Sequence, residues 1–597
     1  MSRLHAIHSV TRADRPDGSI LLASGLKTGP VARNTGEWLH RWARQSPDHV
    51  FIAERSGEGW REVGYGEMLQ QVRAVAAALV AMGLGADRPI MALSGPSVDH
   101  GILMLAAQYA GVPLAPMAEQ YSLIPGALPR LAYAASKVRP AMVFAQDAGP
   151  YGAALALPEF AGAEKFASHG AGGAIRAFGE LLKGGDGRSL DAAYARVGPD
   201  TLAKILFTSG STSNPKGVPQ TQRMLCVNQA QYLACLPLLG ERPPKILDWL
   251  PWNHVFAGNS NFNMVLANGG SLYLDGGKPT RALFAASIRN IREHAGTLSL
   301  NVPIAYALLV EAMKSDAGLR KRFFADLDMV FYAGASLPQD VWQALEEMAV
   351  AERGAIPLMT SSWGMTETAP CALLNYVAGG QSGMIGVPVP GLEAKLLPLG
   401  DGRHELRVRG PNVMAEYYRE ADKTKEAFDE EGFFLTGDAV RFVDSRDLRR
   451  GLRFDGRISE DFKLMSGTWV QAGALRLAAL RSLHGLASDV VVTGHDRAEL
   501  GLLVFPDPAL HDGKASEGAI ADAAYLAKIR ERLAALAASS TGSSTRLSRA
   551  LALAEPPSAA DGEITAKGSL NIRAVLTRRE KLLERLYRGG DACVVTV

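Results

Sequence analysis

The chain has few cysteines, no one-sided charge and no long apolar run. Its 597 residues hold four cysteines, Cys226, Cys235, Cys371 and Cys593, scattered without a Cys-x-x-Cys pair. That argues against a disulfide scaffold or a zinc site and fits a reducing compartment. Lys and Arg nearly balance Asp and Glu, leaving a net charge of +2. Nothing in that balance calls for nucleic acid or an anionic membrane. The most hydrophobic stretch, 101–117, is interrupted by Gln108, Tyr109, Pro113 and Pro116. It is too short and broken for a membrane span and reads as a buried helix followed by a strand. The N-terminus lacks a continuous apolar signal region, so a cytoplasmic protein is expected. No internal repeat is visible.

What is present is ordinary globular composition, 47% hydrophobic and 21% charged, in a chain too long for one core. Residues 1–35 are polar and punctuated by Gly and Pro, and read as an extended lead-in. A helix is expected over 34–46 with Thr35 as N-cap, and a longer one over 65–82. Short apolar strands then alternate with helices, the pattern of doubly wound, mostly parallel α/β sheets. Near residue 390 the pattern turns to the short alternation of an antiparallel β subdomain. After Gly456 a smaller α+β unit begins, with a strand at 488–493. An Ala/Ser-rich stretch at 535–548 reads as flexible, and a helix is expected over 573–587. The predicted organisation is a lead-in (1–35), a large domain (36–455) and a small, mobile C-terminal domain (456–597).

The densest chemistry lies at Thr208-Ser-Gly-Ser-Thr-Ser-Asn-Pro-Lys216-Gly, after the apolar run Ile205-Leu-Phe207. Small residues let backbone N–H groups approach oxyanions, hydroxyls add donors, and Lys216 adds a point charge. No Ser or Thr follows the lysine, so this is not a Walker A loop. The order resembles the phosphate loop of adenylate-forming enzymes, the acyl-CoA synthetases, luciferases and peptide-synthetase adenylation domains. Four further motifs follow in that family's order. Tyr332-Ala-Gly334-Ala335-Ser336 resembles the adenine-binding turn. Trp363-Gly364-Met365-Thr366-Glu367 resembles the aromatic-Gly-x-Thr-Glu motif. Thr436-Gly-Asp438 and Gly456-Arg457 resemble the ribose-binding pair at the hinge. Singly, each has an ordinary reading as a turn, a cap or a surface charge. Together, over 208–457, they are far more specific.

The resemblance implies ATP, magnesium and coenzyme A as cofactor and co-substrates. It implies an acyl-adenylate formed with loss of pyrophosphate, then a thioester formed with loss of AMP. It places the nucleotide on Thr208, Ser209, Gly210, Ser211, Thr212, Lys216, Gly334, Ala335, Ser336, Trp363, Gly364, Met365, Asp438 and Arg457. Thr366 and Glu367 become catalytic, with Glu367 holding the metal. The acid pocket would be lined by His254, Phe256, Asn259, Phe262, Tyr332 and Gly334, with His254 also near the reacting carboxylate; a purely structural histidine is the alternative there.

The chain departs from the family pattern at three points. Ser213 stands where glycine is usual, a cost on the order of 1 kcal/mol if that residue is left-handed. The segment 457–467 is one residue longer, leaving Ser459 or Glu460 as the hinge. The usual C-terminal Gly-Lys is replaced by Gly562-Glu-Ile-Thr-Ala-Lys567, which makes Lys567 the candidate adenylation lysine, with a surface turn as its ordinary reading. That ending, together with Asp455-Gly-Arg-Ile-Ser-Glu-Asp-Phe-Lys-Leu, Ser466-Gly-Thr-Trp-Val, Thr221-Gln-Arg-Met-Leu and 573–579, resembles the bacterial feruloyl-CoA synthetase group. It implies a hydroxycinnamate: ferulate, p-coumarate or caffeate. A medium- or long-chain fatty acid, or a non-catalytic binding protein, are the alternatives. A monomer or homodimer is expected.

Overall fold

The structure, a computed structural model, describes residues 4–208, 214–280, 282–334, 337–377, 383–506, 510–511, 513–540, 542–558, 561–564 and 570–597. Ser209, Gly210, Ser211, Thr212, Ser213, Ala335, Ser336 and Lys567 lie outside them. Three sheets build the large domain among the described residues. One runs, in spatial order, Lys216–Thr221, Leu202–Thr208, Leu114–Pro116, Ile90–Leu93, Met142–Asp147, Glu164–His169 and Ile175–Ala177. It is parallel apart from its first strand, which returns from Leu202–Thr208 as a hairpin. Its central strand Ile90–Leu93 is buried at every position, as the continuous apolar run requires. A second sheet joins Lys245–Asp248, Ser271–Leu274, Val50–Ser56 and Gly59–Gly64.

The third sheet has eleven strands and changes character along its width. Leu298–Asn301, Met329–Tyr332 and Leu358–Gly364 are parallel. From Cys371–Asn375 onward pairing is antiparallel, through Leu452–Arg457, Phe434–Phe442 and the expected Arg403–Arg409 and Glu393–Gly400 pair. The lead-in differs from expectation. Val10–Asp14 and Ile20–Ser24 form a hairpin, and Ile20–Ala23 pairs with Glu393–Leu396. His8 fixes its start, its Nδ1 on the Arg449 carbonyl (2.6 Å) and its Nε2 accepting from the Tyr376 N–H (3.1 Å). Burial pushes this imidazole down to about 4, so it is neutral and can accept.

The first helix is Thr35–Gln45, and its cap is Asn34 rather than Thr35. The Asn34 side chain accepts from the Glu37 N–H, while the Thr35 hydroxyl is spent on Gln108 Oε1 (2.7 Å). The long helix is Tyr65–Ala81, and the 101–117 run divides into helix Val98–Ala110 and strand Leu114–Pro116 as expected.

The small domain carries a four-stranded sheet, Ala487–Thr493, Leu500–Pro506, Leu547–Ala552 and Val594–Thr596. The Ala/Ser-rich stretch is helical at its start: Ala523–Ala538 packs Ile529 and Leu533 onto that sheet. The C-terminal helical signal is two helices, Ile572–Arg578 and Glu580–Tyr587. No helix among the described residues is long and apolar enough to cross a membrane.

Candidate active site

The hairpin after residue 200 ends with Thr208 opposite Lys216 and Phe207 opposite Gly217. The two strands are therefore paired up to their ends at 208 and 216, and the expected phosphate-loop residues 209–213 between them lie outside the described residues. The second strand is pinned by the Tyr418 N–H on the Gly217 carbonyl (2.8 Å). Lys216 Nζ lies 4.6 Å over the ring of Tyr417, a cation–π contact. The Tyr417 hydroxyl donates to Glu367 Oε1 (3.0 Å), and the Glu367 carbonyl accepts from the Met414 N–H (2.8 Å). Burial, reinforced by the Glu367 carboxylate, holds the Tyr417 hydroxyl well above its ordinary pKa, so it stays a donor. Lys216 and Glu367, 151 residues apart, thus share one neighbour. Tyr417 was not legible in the sequence; nothing in Met414-Ala-Glu-Tyr-Tyr distinguishes it from core aromatics.

The strand Leu358–Gly364 delivers the second cluster. Trp363 Nε1 donates to Asp438 Oδ2 (2.9 Å), and Arg457 Nε lies 3.3 Å from Asp438 Oδ1. Asp438 and Arg457 are cross-strand partners, which sets them side by side. Gly437 takes φ +71°, and the Thr436 hydroxyl caps the Asp438 N–H (3.1 Å) while donating to the Leu406 carbonyl (2.5 Å). Three motifs expected to meet one nucleoside are therefore in contact. Gly364 is required sterically: a Cβ there would sit 1.8 Å from the Pro370 carbonyl oxygen. Thr366–Thr368 is a single 3-10 turn, not a helix start, and Thr366 and Glu367 are each about 5% exposed. Met365 is partly buried against the main core. In the turn after Met329–Tyr332, Gly334 adopts φ +87° and Tyr332 packs its ring edge-on to Trp342 at 5.9 Å.

His254 opens a π-helical turn, Phe256–Asn261, that runs into helix Phe262–Asn268. Such turns are rare and often mark functional positions. His254 Nδ1 accepts from the Phe256 N–H (3.3 Å). Phe256 stacks on Phe331 at 5.6 Å, and both rings are buried in the main core. Two expected pocket residues are committed elsewhere. Phe262 is fully buried between Trp252 (5.1 Å) and Phe51 (5.5 Å), as core. Asn259 gives its side chain to Lys204 and Gln220. Two buried ionisable groups flank this turn, and sequence reading had missed both. Lys204, on Leu202–Thr208, is pushed down to about 7 by burial. Asp248, on Lys245–Asp248, is pushed up to about 7 by burial while accepting from Asn261 Nδ2 (2.8 Å) and the Leu250 N–H (2.9 Å).

At the domain junction Ile458–Glu460 forms one 3-10 turn, which holds both hinge candidates, Ser459 and Glu460. Beyond it Asp461 pairs with the buried Arg403, which also holds Asp455 (3.1 Å). Gly456 and Gly473 touch across the junction; a Cβ on Gly473 would fall 2.7 Å from Gly456 Cα. Around Lys567 the flanks are fixed. Ile564 bridges to Leu570, and the Asn571 N–H donates to the Glu563 carbonyl (2.8 Å). The fully buried Glu563 carboxylate binds Arg579 (2.8 and 2.9 Å) and Arg578 (3.1 Å). Gly562 meets Arg130 of the large domain, whose Nη2 lies 2.5 Å from where a Cβ would stand.

Residues 39–418 match the AMP-binding enzyme family, and residues 463–591 match the AMP-binding enzyme C-terminal domain. The chain belongs to the AMP-binding enzyme family. Among its relatives, a sulfoacetate–CoA ligase of Cupriavidus necator is 34% identical over 40% of this chain and 45% of the relative. A probable acyl-activating enzyme 16 of Arabidopsis thaliana is 23% identical over 58% of this chain and 57% of the relative. Both alignments span about half the relative's length. A long-chain-fatty-acid–CoA ligase of Mycobacterium bovis, at 25% identity, is matched over 80% of this chain and 83% of its own. The fold is that of an anthranilate CoA ligase crystallised with anthranoyl-AMP: TM-score 0.72, 17% identity, 94% of this chain and 98% of that one. ATP-bound MatB from Rhodopseudomonas palustris aligns with TM-score 0.66 and 22% identity, over 92% of this chain and 99% of that one.

Proposed function

We propose that the protein is an AMP-forming acid–CoA ligase, and that its acid is a hydroxycinnamate. The observation that carries the ligase reading is the convergence of Lys216, Tyr417 and Glu367, with Trp363, Asp438 and Arg457 meeting as a second cluster. A carboxylate attacking the α-phosphorus of ATP brings two anions together, so charge must be neutralised there. The carboxylate oxygen bonds to phosphorus and pyrophosphate leaves with the electron pair. The coenzyme A sulfur, having lost its proton, then attacks the acyl carbon and AMP leaves. Lys216 and the hairpin loop supply positive potential to the phosphates. Trp363 offers a flat face to the purine, Asp438 accepts from the ribose, and Thr366 donates to the α-phosphate.

Magnesium fits Glu367 as one hard oxygen ligand completed by water and phosphate oxygens. No group of three or more His, Cys, Asp or Glu forms a metal cage among the described residues. Bound there, magnesium would neutralise phosphate charge. Tyr417 orients the carboxylate toward it.

The segments at 221–225, 455–464, 466–470 and 573–579 that resemble feruloyl-CoA synthetases support the phenolic acid. The Mycobacterium bovis relative, matched over most of both chains, favours a fatty acid as second reading. The test is thioester formation with ATP, magnesium and coenzyme A across ferulate, p-coumarate, caffeate, benzoate, octanoate and palmitate. Preference for the hydroxycinnamates is expected. Preference for octanoate or palmitate overturns the acid, and no product with any acid overturns the ligase. Lys567→Ala should slow adenylate formation about 100-fold or more while sparing thioester formation from preformed adenylate. Equal loss in both halves would remove that role.

A further inference from the structure

We propose that Lys204 is a positioning residue for acid binding, fixing the π-helical turn Phe256–Asn261 and tying it through Asn259 and Gln220 to Thr366. This rests on the reading that the turn walls the acid site. Lys204 sits mid-strand, fully buried, between Ala203 and Ile205, which are also fully buried. An apolar side chain would complete that strand without the desolvation cost of an ammonium. Its Nζ instead donates to the Gly258 carbonyl and to Asn259 Oδ1 (3.1 Å).

Donor type then dictates every following contact. Lys204 Nζ is the donor in both contacts, so Asn259 presents its oxygen to it. That turns Asn259 Nδ2 toward Gln220, where it donates to Oε1 (2.9 Å). Gln220 Nε2 is thereby turned to the Thr366 carbonyl, to which it donates (2.9 Å). Both amides are buried, so neither orientation is maintained by solvent. Without a donor at position 204 the Gly258 carbonyl and Asn259 Oδ1 lose their partner while Gln220 stays held by the Thr366 carbonyl, so the turn loses the anchor that fixes it relative to Thr366. Gln229 Nε2, on the Asn259 and Ser260 carbonyls (3.3 Å each), holds the turn's backbone but not these amides. Lys204 touches no reacting atom.

The test compares wild type with Lys204→Met, of similar length but without a donor, and with Lys204→Gln, which restores one. KM for acid and ATP, kcat, thermal midpoint and amide exchange over 256–261 and 366–367 are measured. Lys204→Met should raise acid KM about tenfold with ATP KM within about twofold, a split that general destabilisation would not produce. Exchange should quicken at both segments, and Lys204→Gln should recover part of both effects. Equal changes in both KM values, or exchange rising evenly through the large domain, would overturn the proposal. If Lys204→Met does not fold, Lys204→Gln carries the same comparison against wild type. If wild type turns over no acid, the ligase reading fails; exchange, which needs no substrate, then decides the positioning alone, and unchanged rates at 256–261 overturn it.

Discussion

At Glu367 the useful property is orientation, and Tyr417 supplies it. A carboxylate beside a lysine-bearing loop would otherwise be drawn to Lys216; here the ring of Tyr417 takes the ammonium on its face and its hydroxyl takes Oε1. Tyr417→Phe keeps the face and removes the hydroxyl. It should weaken magnesium activation about tenfold, read from the metal titration, with the thermal midpoint little changed. An unaltered titration would limit Tyr417 to packing. Asp248 gives a pH signature. Its folded pKa is raised to about 7 from an ordinary 3.8, so its contribution to stability is fully present below the unfolded value and is lost as pH rises through about 7. Asp248→Asn removes that titration. Wild-type stability should therefore fall relative to the variant between about pH 4 and pH 7, by a few kcal/mol, and run parallel above it. Thermal midpoints across that range check the slope. Lys216, Trp363, Glu367 and Asp438 were legible because local motif order carries them. Tyr417, Lys204 and Gln220 were not, because their side-chain partners lie 39 or more residues away and no local pattern marks them.

Elements were legible where periodicity was strong and the burial two-sided. Helix Tyr65–Ala81 lies within a residue of the expected 65–82, and the 101–117 run divides into helix and strand as expected. The misses share a cause in tertiary contact. The lead-in forms a hairpin because an open sheet edge at Glu393–Leu396 pairs with it, and residues 535–538 of the Ala/Ser-rich stretch are helical because they continue helix Ala523–Ala538, whose Ile529 and Leu533 find a core. Two glycines separate steric from conformational need. Gly364 has the Pro370 carbonyl where its Cβ would be, so Gly364→Ala should cost roughly 3 kcal/mol or more and disturb the Trp363–Asp438 contact. Gly437, at φ +71° with open space around it, should accept Asn for about 1 kcal/mol or less. Thermal melts of the two variants distinguish the cases, and similar losses in both would contradict the steric assignment.

At the scale of the whole molecule, one buried ion pair lies beside the junction turn Ile458–Glu460. Arg403 belongs to the antiparallel sheet, Asp461 to the small-domain side of the Ile458–Glu460 turn, and both side chains are less than a tenth exposed. Burial raises the Asp461 pKa and Arg403 pulls it back, so the carboxylate's charge depends on that guanidinium. A rotation of the small domain about the turn, the motion that the family resemblance implies, would separate them. Arg403 keeps Asp455 when they part, so separation leaves no buried charge without a partner. The pair therefore biases orientation more than it stabilises either domain. Asp461→Asn should leave the thermal midpoint nearly unchanged while favouring opened orientations by about 1–2 kcal/mol, some fivefold to thirtyfold in population. Arg457 is half-exposed and adjoins the turn, so trypsin reports that population directly. Cleavage after Arg457 should quicken in proportion, and the two half-reactions should change their rate ratio. Unchanged cleavage with a lowered melting point would make the pair a stabiliser of the fold and not a latch on the hinge.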